Sequence, residues 1–214
     1  MRTIAKLQSE IFIPIQIKHR GMRDYCEIWQ AMKALTANRG TDSSDEIWLL
    51  QHFPVYTQGI AGKPEHLLYK NHIPVVNTDR GGQVTYHGPG QLIIYTLLDF
   101  RRLGLTVREL VTRLEKSVID LLAAYSIEAE SKPKAPGVYV NGAKIASLGL
   151  KIKNGFCYHG IALNINMDME PFAAINPCGY KGLQMTQLVD LGVPDDIDVI
   201  SHKIAEKLII GLSE

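Results

Sequence analysis

Two Asn-Gly pairs, Asn141-Gly142 and Asn154-Gly155, each stand between runs of strand-forming residues at 137–140, 144–153 and 156–166. A two-residue reversal between twisted strands needs positive φ at both central positions, and Asn and Gly adopt it at least steric cost. Three consecutive antiparallel strands are therefore expected, the central one interrupted by Gly149. Residues two apart on a strand share a face. That sets Lys144, Ala146, Leu148 and Leu150 on one side and Ile145, Ser147, Gly149 and Lys151 on the other, with Lys144 on the more apolar side.

The remaining pattern mixes strands with large helices. Apolar residues alternate around Ile11, Ile13, Ile15 and Ile17, a strand pattern without the continuous apolar core of a signal peptide. Tyr25, Ile28, Trp29, Met32 and Leu35 recur at helical spacing within 22–38, and Gly40 stands where that helix ends. EIWLL at 46–50 reads as a buried strand, HFPVYTQGIAGKPEH as a loop, and 73–77 and 92–98 as further strands. An amphipathic helix is expected over 107–125, opened by a Thr106/Glu109 capping box. A second is expected over 195–212, after a loop around Pro171 and Pro177. Hairpins outnumber βαβ units, so the expected fold is α+β, a mixed, largely antiparallel sheet packed with helices. No repeat, low-complexity tract or linker divides the chain, and one domain over 1–214 is expected.

Composition excludes several classes. The 214 residues carry 23 Lys plus Arg against 22 Asp plus Glu, a net charge of +1. That opposes a disordered chain and a nucleic-acid binder held by bulk charge. No stretch reaches the roughly 18 apolar residues of a membrane span. Three cysteines, Cys26, Cys157 and Cys178, occur at wide spacings without C-x-x-C. Neither a disulfide scaffold nor a zinc cluster is encoded, no H-E-x-x-H suggests another metal, and a reducing cytoplasm is the expected location. Cys26 and Cys157, within a helix and a strand, read as packing residues.

Three segments could carry chemistry. RGGQVTYHGPGQ, at 80–91, holds four glycines, Arg80 and His87. Glycines let backbone N–H groups approach a ligand, but the composition equally suits a tight structural connection, and neither a P-loop nor a dinucleotide fingerprint is present. Lys144 either snorkels from its strand end or is desolvated for acid-base work. Cys178 lies between Pro177 and Gly179 in a turn, and reads equally as an exposed, reactive thiol or as a structural cysteine. A nucleophilic cysteine needs a cation beside its thiolate. Lys144, His87 and His159 are the candidates, and folding must bring one within reach.

DRGGQVTYHGPGQ, APGVYV followed by KIASLGL, YHGIALNINMD and INPCGY, in that order, resemble the lipoyl(octanoyl) transferase family. The likeness extends to DEIWLLQH and PVYTQGIAGKPEH, with Gln51 where a Glu often precedes the family's His-x-Pro. It implies a fold similar to biotin and lipoate protein ligases. It also implies transfer of an octanoyl or lipoyl group from acyl carrier protein to a lysine of lipoyl domains, in 2-oxoacid dehydrogenase subunits and the glycine cleavage H protein. On this resemblance Cys178 is the acyl-thioester nucleophile, and Lys144 favours its thiolate and handles protons. Arg80, Gly81, Gly82, Gln83, Val84, Thr85, Tyr86 and His87 match the main substrate-binding stretch. Ser147, Leu148 and Gly149, with Gly160, Ile161 and Ala162, match two shorter ones.

The chemistry suits these residue types. A thioester is already activated, so no ATP, metal or other cofactor is implied. Gly81, Gly82, Gly149 and Gly160 are expected to leave an acyl slot open, with bulk at Gly149 shortening it. Lys132, Lys134, Lys151 and Lys153 cluster in sequence and form either a docking patch for an acidic carrier or a solvated face. Nothing demands an oligomer, and a monomer is expected. The rival readings are an adenylating ligase on the same fold, a cysteine hydrolase and a non-catalytic acyl-binding module.

Overall fold

A computed structural model describes residues 15–40, 42–69 and 71–213. Ile11 and Ile13 of the expected first strand lie outside them. In chain order the strands are β1 (Gln16–Arg23), β2 (Glu46–His52), β3 (Val55–Gln58), β4 (Val75–Asn77), β5 (Val84–His87), β6 (Gln91–Asp99), β7 (Glu130–Ser131), β8 (Gly137–Val140), β9 (Ala143–Lys153) and β10 (Phe156–Asn164). The helices are α1 (Tyr25–Ala37), α2 (Val107–Ala123) and α3 (Ile197–Ser213). Seven strands form one sheet in the order β1-β2-β6-β10-β9-β8-β7, and three form a second in the order β4-β3-β5. In the large sheet only β1 and β2 run parallel. The α+β fold with a mixed, largely antiparallel sheet is therefore present.

Local chemistry sets the boundaries. Asp24 is extended and its side chain accepts the Glu27 N–H, so α1 starts at Tyr25, while Met22 and Arg23 stay paired in β1. This shortens the helix expected over 22–38. The Thr106/Glu109 capping box is fully formed at the start of α2. Asn141 and Gly142 have φ of +49° and +84°, and Asn154 and Gly155 of +51° and +82°, the double positive φ that the hairpins β8–β9 and β9–β10 require.

Strand alternation divides the core. Leu92, Ile94 and Leu98 of β6 pack with α2 and α3 on one face, while Ile93, Tyr95 and Leu97 pack with Ile28 and Met32 of α1 on the other. Burying each such side chain stabilises the fold by about 1.5–3 kcal/mol.

Two expectations need correction. Segments 55–58 and 84–87, read as loops, pair antiparallel as β3 and β5 and build the second sheet. Lys144 does not share a face with Ala146. The β8–β9 register shifts after Val138↔Ala146, so that Tyr139 pairs with Lys144 and Ile145 is the extra residue of a bulge. Val138, Ile145 and Ala146 enter the α2/α3 core, whereas Lys144 turns with Tyr139 to the opposite face.

Candidate active site

Tyr25 from α1, Ile93 and Tyr95 from β6, and the neighbouring parts of β9 and β10 form one wall of a cavity on the α1 face of the large sheet. The 80–87 segment and Cys178 close it. About 490 Å³ of space free of protein atoms lies within it, counting the solvent at its mouth, so the enclosed part is narrow. Ile93, Leu148, Ile161, Ala162 and Val84 make much of its lining apolar.

Cys178 lies in a 3-10 turn, Pro177–Gly179, with φ of +56°, and is followed by Gly179 at +77°. This left-handed pair is uncommon for a non-glycine residue and presents the thiol at the cavity. The Gln83 side chain packs against the turn: a Cβ on Gly179 would stand 2.6 Å from its Nε2. Lys144, fully buried, donates from Nζ to Cys178 Sγ at 3.1 Å and to Pro136 O at 3.0 Å, and lies over the Tyr139 ring at 5.1 Å. Burial favours the neutral amine, but the charge of the Cys178 sulfur and its contact with Tyr139 outweigh burial and hold Lys144 above the ordinary lysine value. Two residues far apart in sequence are thus brought together as a thiol and an amine in hydrogen-bonding contact.

The Gly-rich loop is braced from within. Arg80, almost wholly buried, donates from Nε to Thr57 Oγ1, from Nη1 to Gly81 O, and from Nη2 to Thr57 O and Gln83 O. Burial lowers its pKa, opposed by the charges of Tyr25, Cys178 and Tyr95. Gly81 N donates to Leu150 O, docking the loop on β9. Close backbone approach explains two glycines expected to open a slot: a Cβ on Gly149 would meet Gly81 O at 2.9 Å, and one on Gly160 would meet Ile94 O at 2.1 Å.

The histidines divide into two kinds. His87 Nδ1 bonds Gln91 Oε1 at 2.7 Å and Nε2 bonds Thr57 Oγ1 at 3.1 Å, so both nitrogens are engaged. Burial, then neighbouring His52, keeps its pKa well below the ordinary value. His159, also buried, has φ of +63° and bonds Asp79 Oδ1 through Nε2 at 3.1 Å, while Nδ1 has no partner. Asp79 also accepts from Trp29 Nε1 at 2.8 Å and from the Tyr158 hydroxyl. Burial alone would raise the Asp79 pKa, but its three donors hold it well below the carboxylate range. Burial lowers the His159 pKa, with Asp79 opposing.

Of the residues singled out by sequence, Arg80, Gly82, Gln83, Val84, Thr85, His87, Ser147, Leu148, Gly149, Gly160, Ile161, Ala162 and Cys178 line the cavity. Gly81 packs on β9 instead, and Tyr86 packs beside Tyr56 and Phe172 in a separate apolar cluster at the second sheet. Cys157 is buried as expected, which pushes its thiol up to about 12. Cys26, expected to pack, is exposed on α1 because it lies off the helix's buried face at Tyr25, Ile28 and Met32. Tyr25, Asp79, Ile93, Tyr95 and Tyr139 were not singled out, although Asp79 opens the DRGGQVTYHGPGQ segment and Tyr139 lies within APGVYV; Tyr25, Ile93 and Tyr95 are brought in by the packing of α1 and β6. Among the described residues, no group of three or more His, Cys, Asp or Glu is placed to hold a metal ion. Among them also, no helix is long and apolar enough to cross a membrane.

Comparison with known proteins agrees with this architecture. A lipoate protein ligase of Thermoplasma acidophilum, solved with its E2 lipoyl domain, superposes with a TM-score of 0.71 at 15% identity, covering 94% of this chain and 83% of that one. A biotin protein ligase of Aquifex aeolicus in complex with biotin and ATP gives 0.57 at 13%, covering 92% and 70%. These show the fold alone. The octanoyltransferase of Nitrosospira multiformis is 62% identical over 92% of this chain and 94% of its own length. That of Nitrosomonas europaea is 58% identical over 94% and 98%. Residues 24–209 match the family described as Lipoyl protein ligase A/B catalytic domain. The chain belongs to that family and, within it, to the lipoyl(octanoyl) transferases.

Proposed function

We propose that this protein takes an octanoyl group from acyl carrier protein onto Cys178 and passes it to a lysine of a lipoyl domain, such as those of 2-oxoacid dehydrogenases or the glycine cleavage H protein. The observation that carries this reading is Lys144 Nζ, 3.1 Å from Cys178 Sγ beside an apolar cavity. The ammonium stabilises the thiolate, which attacks the donor's thioester carbonyl. The carbon–sulfur bond to the carrier breaks, and its thiolate leaves with a proton from Lys144. Acylation also removes the sulfur charge that held the Lys144 proton, leaving burial to favour the neutral amine. An acceptor amine then attacks the Cys178 thioester, Lys144 takes a proton from the forming amide, and the thiolate–ammonium pair is restored. The donor is already activated, so no ATP is consumed.

The test incubates the protein with octanoyl carrier protein and an unmodified lipoyl domain without ATP and follows all masses. An octanoyl adduct absent from Cys178→Ser, together with an octanoylated domain, is expected. Lys144→Ala should fold and acylate about 10²-fold or more slowly. A requirement for ATP, or release of free octanoate alone, would overturn the reading in favour of a ligase or a hydrolase.

A further inference from the structure

The proposed reaction releases a proton that its two central residues do not absorb. A thioester and an alkylammonium give a thiol, an amide and one proton. Neutral Lys144 can take only one proton from the acceptor, the one lost as the amide forms. An acceptor lysine arrives as the ammonium, so another base must first remove a proton to expose its lone pair.

Resting on the proposed function, we infer that His159 is this base, with Asp79 as its positioning partner. His87 also lines the cavity, but both its ring nitrogens are engaged. His159 Nε2 faces the Asp79 carboxylate and therefore carries the ring hydrogen, which leaves Nδ1 a lone-pair acceptor. Nδ1 is buried without a partner in a residue that lines the cavity with Cys178. A left-handed φ inside β10 sets the ring's direction, and Trp29 and Tyr158 hold the carboxylate behind it. His159 takes the acceptor's first proton on Nδ1, Asp79 stabilises the resulting imidazolium, and the proton passes to water when product leaves.

The charged and titratable groups facing His159 are Asp79 and Arg80 from the loop, Lys151 from β9, Tyr158 from β10 and Tyr95 from β6, with His52 of β2 and His87 of β5 coupled to it more weakly. Of these, Asp79 holds the imidazolium and the two cations oppose it. Loss of the carboxylate therefore moves the dependence on the His159 base to lower pH.

The two half-reactions separate this role from a structural one. His159→Asn tolerates positive φ and keeps a polar group where Nδ1 stands but cannot carry a proton. Transfer from isolated acyl-enzyme to the lipoyl domain should slow about 10²-fold or more beyond any slowing of octanoyl uptake from the carrier. That deficit should shrink as pH approaches the acceptor lysine's own pKa. Asp79→Asn should slow transfer less and shift its pH profile downward. Wild-type transfer by His159→Asn, or equal slowing of both halves, would overturn the inference alone. A wild-type protein that never carries octanoyl on Cys178 would overturn the proposed function with it.

Discussion

On the proposed function, chain-length selection would be decided by where single side chains point. A Cβ at Gly149 would drive into Gly81 O, so Gly149→Leu should displace the loop rather than shorten the slot. Activity should fall on every donor, with a stability loss of about 1–3 kcal/mol seen by urea unfolding. Ala162, which lines the cavity from β10 among the α1-face residues, is the better probe. Ala162→Leu should lower kcat/KM for an eight-carbon donor relative to a four-carbon donor by about 10–200-fold. An unchanged ratio would remove Ala162 from the acyl wall. Acid sensitivity has a similarly local origin. His52 is buried, with Nδ1 bonding Arg23 O and Nε2 bonding the Tyr95 hydroxyl, and burial pushes its pKa down to about 4. A depressed folded pKa means the unfolded chain binds the proton first. His52 therefore contributes stability that is full above its unfolded value near 6.5 and is lost as pH falls toward 4. Urea midpoints for His52→Gln should vary less across that window than those of wild type.

At the scale of elements, the β8–β9–β10 meander carries glycines of two kinds. Gly142 has φ of +84° and nothing within 4 Å of where a Cβ would stand, so Gly142→Ala meets backbone strain alone, about 1–2 kcal/mol. Thermal unfolding should show Tm lowered by about 2–4 °C per kcal/mol. Gly160→Ala, aimed into the β6 backbone, should cost several times more, and equal shifts would contradict the strand spacing described. The Gly142 turn was legible in sequence because Asn-Gly answers a local φ requirement, as Thr106 and Glu109 answer a local helix-end requirement. The bulge at Ile145 was not, because it arises from pairing with β8 and leaves no mark on the alternation of β9. Nor were β3 and β5, four-residue strands flanked by Pro and Gly whose stability comes from partners distant in the chain. The site divides the same way. Cys178, Lys144, Asp79 and the Gly-rich loop sit in segments that resemble a family, whereas Tyr25 and Tyr95 join them only through the packing of α1 and β6.

Over the whole molecule, near-neutral charge means that recognition of the proposed carrier-protein donor would depend on local arrangement. The four lysines clustered in sequence separate in space. Lys132 and Lys134 lie toward the Cys178 side, where Lys132 pairs with Glu130 at 3.6 Å and lies 4.5 Å over the Tyr139 ring, and Tyr180 bonds Lys134 O. Lys151 and Lys153, near the far end of β9, line a groove with Lys33 of α1. Asp79, the one acid among the described residues lining that groove, is held by Trp29, Tyr158 and His159. The groove therefore presents net positive charge and shares Asp79 with the network behind the acyl cavity. An acidic carrier docked there would sit beside the site where its thioester must react. Reversing Lys33 and Lys153 to Glu should raise KM for octanoyl carrier protein about tenfold, roughly 1.4 kcal/mol, leave kcat nearly unchanged and flatten the dependence of KM on salt. Lys132→Glu with Lys134→Glu should change that salt dependence less. The opposite ranking would move the carrier to the β7–β8 end, and equal, small effects from both sets would leave the lysines as a solvated surface.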